Sequence, residues 1–283
     1  MSWNIVNESY PQVLRGILHQ TLEGLPYVAP TRRIFGGGTA IAEDIREVGL
    51  RLRRFELHNR TAGNANVGIG FRWANRYWAA GQLVAVNTPD FTDDTADAQD
   101  LPATTADFAL MNTTAADGWA VHSDRKFSWV SALIVTADVG ASADVTADYS
   151  NFAGTGWTAV DANSRLEAAG SSFIKAAGVN YGATEERCMI WTPPNNWGRT
   201  VAGGLDGIPG GRYALRFLTD VATTAAVAAA VEVGSMVAVD TLATNGTYGP
   251  DWTTYDDPYA EALVAFFSVA DAGNRVLAEV TTG

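Results

Sequence analysis

The 283-residue sequence has one cysteine, Cys188, three histidines and only two lysines. A single cysteine excludes a disulfide within the chain and any zinc site that is built on cysteines. No stretch of about 18 uninterrupted apolar residues occurs, so no segment has the length and apolarity of a membrane-spanning helix. The N-terminal residues lack the basic stretch and apolar run of a secretion signal, and we expect no signal peptide.

Positive charge is also scarce, since the formal net charge is −12 at pH 7. Nucleic acids and anionic membranes would repel such a chain, so we expect neither as its main partner. Of the 19 basic residues only Lys126 and Lys175 are lysines, and the rest are arginines. Arginine suits bidentate, partly buried contacts and therefore favours extensive interfaces. A codon bias in a GC-rich genome explains the same preference, and the sequence leaves both explanations open.

Short apolar runs separated by turn residues dominate the sequence from residue 48 onward. In residues 67–73 the apolar side chains alternate with Gly68, Gly70 and Arg72, which predicts a strand with one buried face. Residues 223–233 are rich in alanine but are predicted as a strand because of their β-branched residues. Residues 260–282 predict a hairpin that turns at Asp-Ala-Gly-Asn.

These patterns predict an all-β fold, a β-sandwich or jelly roll, with a short N-terminal arm that is partly helical or irregular. Apolar residues at helical intervals predict one short amphipathic helix within residues 10–25 of this arm. The glycine-rich residues 35–44 lack the spaced glycines of a dinucleotide site and the Lys-Ser/Thr of a P-loop, so we interpret them as a hinge.

We expect three parts in the chain. Residues 1–46 form the arm, which docks on a neighbouring subunit. Residues 47–86 and 241–283 form a discontinuous β domain. Residues 87–240 form a β-sandwich domain that is inserted between them.

The segment "PDFTDDTADAQD" at residues 89–100 contains five aspartates and no basic residue. A calcium loop of the EF-hand type needs a glycine at its sixth position, where this segment has Thr95, and a glutamate at its twelfth. A pair of acids for general acid–base catalysis needs one carboxyl group whose pKa is raised by burial, and this segment looks solvated. We interpret it as a hydrophilic connection, and a structural calcium ion is the alternative.

The histidines, His19, His58 and His122, lie far apart in the sequence, and no Gly-x-Ser-x-Gly motif is present. We therefore predict no catalytic residue, no metal ligand and no cofactor, and a glycoside hydrolase is disfavoured because no acid pair is recognisable. Four tryptophans fall in loops or at strand ends, where exposed rings stack on sugars and buried rings anchor cores or interfaces. These are Trp157, Trp191, Trp197 and Trp252.

The middle of the chain contains five stretches that are rich in aromatic and turn residues. They are "FTDDTADAQD", "DGWAVHSDRKFSWVSALIVTADVG", "DYSNFAGTGWTAVD", "WTPPNNWG" and "GGRYALRF". Together, over roughly residues 50 to 240, they resemble a β-sandwich module of tailed-bacteriophage virion proteins. The matching positions are Asp93, Asp94, Phe127, Tyr149, Trp157, Thr158, Pro194, Trp197, Tyr213 and Arg216. In such a module we expect Trp197 to close the open end of the sandwich and Arg216 to reach a carboxylate at the rim of the sheet.

The resemblance implies a structural component of the virion, in head decoration, neck or tail, that is assembled in the host cytoplasm. Its expected partners are copies of itself and other virion proteins, and it transfers no catalytic residue and no cofactor. The alternative is a glycan-binding adhesin module of a phage tail or fibre, with a sugar of the host surface as its ligand.

Overall fold

A computed structural model of the chain describes residues 15–21, 31–32, 40–44, 49–84, 90–99, 108–110, 117–137, 144–167, 172–176, 181, 185–220, 227–267 and 274–282. These residues form antiparallel sheets, one short α-helix and two short 3₁₀ helices, Asn75–Tyr77 and Ala162–Ser164, so the predicted all-β, sandwich-like fold is confirmed. Within these ranges no helix is long and apolar enough to cross a membrane.

The strands are numbered in chain order. They are β1 Arg15–Thr21, β2 Thr31–Arg32, β3 Ala40–Asp44, β4 Leu50–His58, β5 Ala65–Trp73, β6 Trp78–Val84, β7 Asp90–Asp93, β8 Phe108–Ala109, β9 Gly118–Ser123 and β10 Trp129–Thr136. The others are β11 Val145–Ser150, β12 Trp157–Ala159, β13 Glu185–Ile190, β14 Tyr213–Thr219, β15 Val227–Leu242, β16 Thr247–Asp251, β17 Tyr255–Asp257, β18 Ala260–Phe267 and β19 Arg275–Thr282. The helix α1 is Thr95–Ala98.

The chain divides into two compact units. Unit 1 consists of Met1–Ala74 and Gly234–Gly283, and unit 2 consists of Asn75–Val233. The long strand β15 contributes its first half to unit 2 and its second half to unit 1. The residues 223–233 that were predicted as a strand despite their alanine content are described from Val227 onward, and there the prediction is confirmed.

Unit 1 is a sandwich of two sheets. One sheet has the order β1-β19-β4-β16, with β17 also paired to β4, and the other places β15, β5, β18, β3 and β2 side by side. Leu52 and Phe55 of β4, Ile69 of β5 and Leu263 of β18 belong to one buried apolar cluster. The two sheets therefore share a core, as the alternating apolar residues of β4 and β5 require.

Strand β5 differs from the prediction of one buried face, because nearly every residue of it is buried. It is a central strand between β15 and β18, and its glycines lie under Met236 of β15. A Cβ atom at Gly70 would lie 2.7 Å from the carbonyl oxygen of Ser235 and 3.0 Å from the sulfur of Met236. The glycines that looked solvent-facing in the sequence are thus positions of close approach between strands.

The prediction of a hairpin over residues 260–282 is wrong, because its two strands do not pair with each other. Strand β18 pairs with β5 and β3, whereas β19 pairs with β4 and β1 in the other sheet of unit 1. The chain therefore crosses from one sheet to the other between these strands. The physical reason is visible in β18, where Leu263, Val264, Ala265 and Phe266 are all buried, so both faces of the strand need cover.

The helix predicted within residues 10–25 is replaced at Arg15–Thr21 by strand β1, and the rest of that segment lies outside the described residues. Seven consecutive residues of β1 pair with β19. The spacing of apolar residues in so short a run is compatible with a helix or a strand. The edge of β19 offers backbone N–H and C=O groups that need partners, and pairing with them favours a strand.

Unit 2 also stacks two layers of strands. One sheet, which we call sheet C, has the order β12-β11-β14-β9-β6-β7, and β13, β10 and β15 follow each other in the second layer, with β8 paired to β15. The ring of Trp119 from sheet C lies 5.7 Å from Phe108 of β8 and 4.6 Å from Phe217 of β14. Large aromatic rings therefore fill the space between the layers.

Candidate functional site

Aromatic residues that carry the resemblance come together in the core of unit 2. The ring of Trp197 lies 5.0 Å from Phe127, 6.4 Å from Tyr149 and 5.5 Å from Tyr213. Its indole Nε1 donates hydrogen bonds to the hydroxyl of Ser150 at 3.1 Å and to a backbone carbonyl at 3.2 Å. Trp197 is only 2% exposed, so it is a core residue and not a platform for a sugar.

The turn before Trp197 is held by backbone contacts. The carbonyl oxygen of Pro194 accepts hydrogen bonds from the Nζ of Lys126 at 2.8 Å and from the backbone N–H of Trp197 at 3.1 Å. Trp191, which directly follows β13, is also buried, and its ring lies 4.6 Å from Trp197. Two of the four tryptophans considered for sugar binding are therefore structural.

A second cluster forms on the outer face of sheet C around Arg216. Its Nε and Nη2 lie 2.9 Å from Oδ2 of Asp148, on the neighbouring strand β11. Arg216 thus reaches a carboxylate as expected, but this carboxylate is on β11, between β12 and β14, and not at the rim of the sheet. Its guanidinium also stacks on Trp157, whose Nε1 donates to Asp206 at 2.6 Å. Thr158 follows on β12, opposite Tyr149 of β11.

The aspartate-rich segment is more ordered than a hydrophilic connection. Its residues Asp90–Asp93 form the edge strand β7 of sheet C, and Thr95–Ala98 form α1. The hydroxyl of Thr95 donates a hydrogen bond to Asp93 at 2.6 Å and lowers the pKa of that carboxyl group. Burial raises the pKa of Asp94, and the charge of Asp97 raises it further. Across the described residues, no group of three or more histidine, cysteine or carboxylate side chains is arranged to hold a metal ion.

The histidines lie on three separate strands, β1, β4 and β9. The side chain of His19 is outside what the structure describes. Nε2 of His58 lies 3.3 Å from a carboxylate oxygen of Glu56, two residues earlier on β4, and both side chains are partly buried. His122 is buried in unit 2, where the ring of Phe91 lies 5.4 Å away.

Trp252 of unit 1 is the one tryptophan of the four that is strongly exposed, at 65%. It lies in the connection between β16 and β17, which both pair with β4. The guanidinium of Arg54 on β4 lies 4.5 Å from the centre of its ring. The side chain of Arg54 also forms an ion pair with Glu56.

Polar groups fix the connection that carries Trp252. Oδ1 of Asp251 accepts the backbone N–H of Thr253 at 2.7 Å, and its Oδ2 accepts the hydroxyl of Tyr255 at 3.1 Å. The bond from Thr253 lowers the pKa of Asp251, so this carboxylate stays ionised. An exposed ring on a fixed turn, between an arginine and carboxylates, is able to stack on a sugar or on a side chain of another protein.

A second exposed aromatic residue, Phe152, was not recognised in the sequence. It lies in the turn between β11 and β12 and is 80% exposed. Hydrogen bonds from Asn151 to Gly156 and from Gly154 to Asn151 close this turn. The backbone N–H of Val201, itself partly exposed, donates to Gly154. The sequence did contain a signal for its exposure. Phe152 stands among turn residues and belongs to no strand pattern that would place it in the core.

Comparison of the chain with protein-family models, with curated proteins and with solved structures gave no match. The case for a function therefore rests on the residues and their geometry.

Proposed function

We propose that this chain is a structural component of a tailed-phage virion, which acts by packing against copies of itself and against other virion proteins, without catalysis. In this proposal it is assembled in the host cytoplasm and then resides in the particle. The observation that carries the proposal is the strong exposure of Phe152 and Trp252 on hydrogen-bonded turns.

Exposed aromatic rings are the most effective anchors for contacts between proteins. Transfer of a large apolar side chain out of water contributes about 1.5–3 kcal/mol. Because the turns that carry Phe152 and Trp252 are already closed by hydrogen bonds, ordering them on association costs little further entropy. Arginine that stacks on an aromatic ring, as Arg54 does on Trp252, is likewise enriched where proteins meet.

The test is the mass of the purified protein by analytical ultracentrifugation over a range of concentrations. We expect an oligomer whose dissociation is promoted by Phe152→Ser or by Trp252→Ser. The control is Leu166→Ser, which removes an apolar side chain that is exposed less, at 37%. A protein that stays monomeric at every concentration would contradict self-association. Labelling of purified particles for negative-stain imaging would then locate the chain in the virion.

A glycan-binding adhesin module is the second candidate, and Trp252 favours it. Sugars stack on exposed aromatic rings, and their hydroxyl groups need donors and acceptors such as those of Arg54 and Asp251 beside that ring. A glycan array probed with the wild type should then show saturable binding that Trp252→Ala abolishes. Phe152→Ala is the matched control, since it removes an exposed ring from the other unit and should leave sugar binding unchanged.

A further inference from the structure

Unit 2 contains a cavity of about 90 Å³ that is lined by Arg76, Tyr77, Trp78, Ala79, His122 and Arg212. The register of sheet C explains why there is space at this place. His122 of β9 lies directly opposite Ala79 on β6 and Ala214 on β14. Two methyl side chains flank the imidazole, so the strands leave room next to it.

Hydrogen bonds hold the backbone on both sides of the cavity. The side chain of Gln99 donates from Nε2 to the carbonyl of Asn75 at 2.7 Å and to that of Trp78 at 3.0 Å. The backbone N–H of Arg212 donates to the hydroxyl of Thr200 at 3.0 Å, and the N–H of Thr200 donates back to the carbonyl of Arg212 at 2.8 Å. The segments that carry the two arginines are thus fixed before any ligand arrives.

The two charged side chains that line the cavity, Arg76 and Arg212, are both positive. In a chain with a net charge of −12, neither Arg76 nor Arg212 has a carboxylate partner among the described residues. Within the described ranges, the side chain of Arg76 donates to the hydroxyl of Tyr77, at 3.1 Å. Nδ1 of His122 is buried and makes no hydrogen bond within the described part of the chain. Buried polar atoms without partners are rare in folded proteins and point to a missing ligand or solvent.

The charge on His122 follows from the same surroundings. Burial, and then the positive charge of Arg212, lower the pKa of His122 to about 4. The carboxylate of Asp93 accepts two hydrogen bonds from Thr95. Its negative charge raises the pKa of His122 and so acts against burial and Arg212. At neutral pH the imidazole is therefore uncharged, and the positive charge at the cavity belongs to the two arginines.

We propose that this cavity binds a small oxyanion, such as a phosphate, a sulfate or a carboxylate group, between Arg76 and Arg212 and next to His122. The arginine fork matches the geometry of these oxyanions. A cavity of about 90 Å³ has room for one such group, whereas sites that enclose a whole small organic molecule measure roughly 300–1,000 Å³. Binding of an oxyanion at this cavity does not depend on the proposed role in a virion, so a failure of that proposal would leave this one unaffected.

The test is a titration followed by NMR on the ring protons of the histidines. The chain has only three, and His122→Gln assigns the signals of His122. Inorganic phosphate and acetate are added in separate arms, with chloride keeping the ionic strength constant. We expect a saturable shift of the His122 signals and a rise in the pKa of His122, because a bound anion favours the protonated imidazole. His58, on β4 of unit 1, is the internal control and should not respond.

Substitutions of the two arginines test whether they bind the anion that shifts the NMR signals of His122. Arg212→Gln and Arg76→Gln should each weaken binding by about tenfold or more, as expected for the loss of a hydrogen bond to a charged group. Arg53→Gln changes the net charge equally at an exposed residue of unit 1 and should leave the affinity unchanged. If only phosphate shifts the His122 signals saturably, the site binds a tetrahedral oxyanion. If acetate shifts them as well, the site also binds carboxylates. The proposal is overturned if neither anion shifts His122 saturably, or if Arg53→Gln weakens binding as much as Arg212→Gln.

Discussion

The guanidinium of Arg216 lies 4.5 Å from the centre of the ring of Trp157. The same arginine pairs with Asp148 on the strand between them, and its Nη1 lies 3.5 Å from Asp206, which accepts the indole N–H of Trp157. Asp206 comes from the loop that precedes β14. One arginine therefore joins three strands of sheet C to the loop that lies over them.

Replacement of Arg216 by lysine should destabilise unit 2 by about 1–3 kcal/mol, as for other hydrogen bonds to charged groups. Lysine keeps the positive charge but has neither the planar fork for Asp148 nor the flat surface for Trp157. The free energy of unfolding, measured in urea, checks this prediction.

The ion pair between Arg51 and Asp256 provides the control for Arg216. Its N–O distance is 2.6 Å, but the two side chains are 41% and 56% exposed. Exposed pairs contribute about 0–1 kcal/mol because water screens them, so Arg51→Lys should cost much less. Equal losses in the two variants would show that the cluster around Arg216 is worth no more than a surface ion pair.

The sequence predicts the strands of this fold better than the sheet that each strand joins. The partner of Arg216, Asp148, lies 68 residues earlier in the chain and was not identified. A contact with some carboxylate was predictable, because arginines that are partly buried are usually paired. The crossing from β18 to β19 was not, because Asp-Ala-Gly-Asn specifies a change of direction and leaves open which sheet the chain joins next. Burial on both faces of β18 depends on its neighbours, which periodicity does not reveal.

The candidate sites were harder to predict than the strands. Trp252 was singled out as a residue in a loop, but its partner Arg54 is distant in the sequence and belongs to another strand. The cavity next to His122 joins Arg76 and Arg212 from distant segments. Only the register of sheet C brings these residues together, and no motif of adjacent residues encodes it.

Truncation of Trp197 should be among the most destabilising changes in the chain. Its ring contacts four aromatic residues and its Nε1 makes two hydrogen bonds, so Trp197→Ala should cost about 3–5 kcal/mol. Chemical denaturation followed by far-UV circular dichroism measures the loss. Trp252→Ala is the matched control, since it removes an exposed indole and one cation–π contact of about 0.5–1 kcal/mol. A loss for Trp197→Ala as small as for Trp252→Ala would contradict its place in the core.

A methyl group at Gly118 should be costly because β9 and β14 approach closely there. A Cβ atom at this position would overlap the carbonyl oxygen of Phe217. Gly118→Ala should therefore shift the strands and destabilise the protein by about 1–3 kcal/mol. Gly203, also in unit 2, has no atom within 4 Å of such a Cβ, so Gly203→Ala is the control and should be near neutral. Thermal unfolding of both variants distinguishes the two sites, and equal melting temperatures would refute the close approach.

Stability should fall as the pH falls from 6.5 towards 4, because of His122. Its pKa is lowered from 6.5 to about 4, so the unfolded chain takes up a proton in this range before the folded chain does. The full difference corresponds to about 3 kcal/mol. Burial raises the pKa of Glu167, which acts in the opposite direction, so the wild type is compared with His122→Gln, in which Glu167 is retained. Unfolding in urea at several pH values should show the stability of the wild type falling relative to that of His122→Gln as the pH falls, and a constant difference between them would contradict a neutral, buried His122.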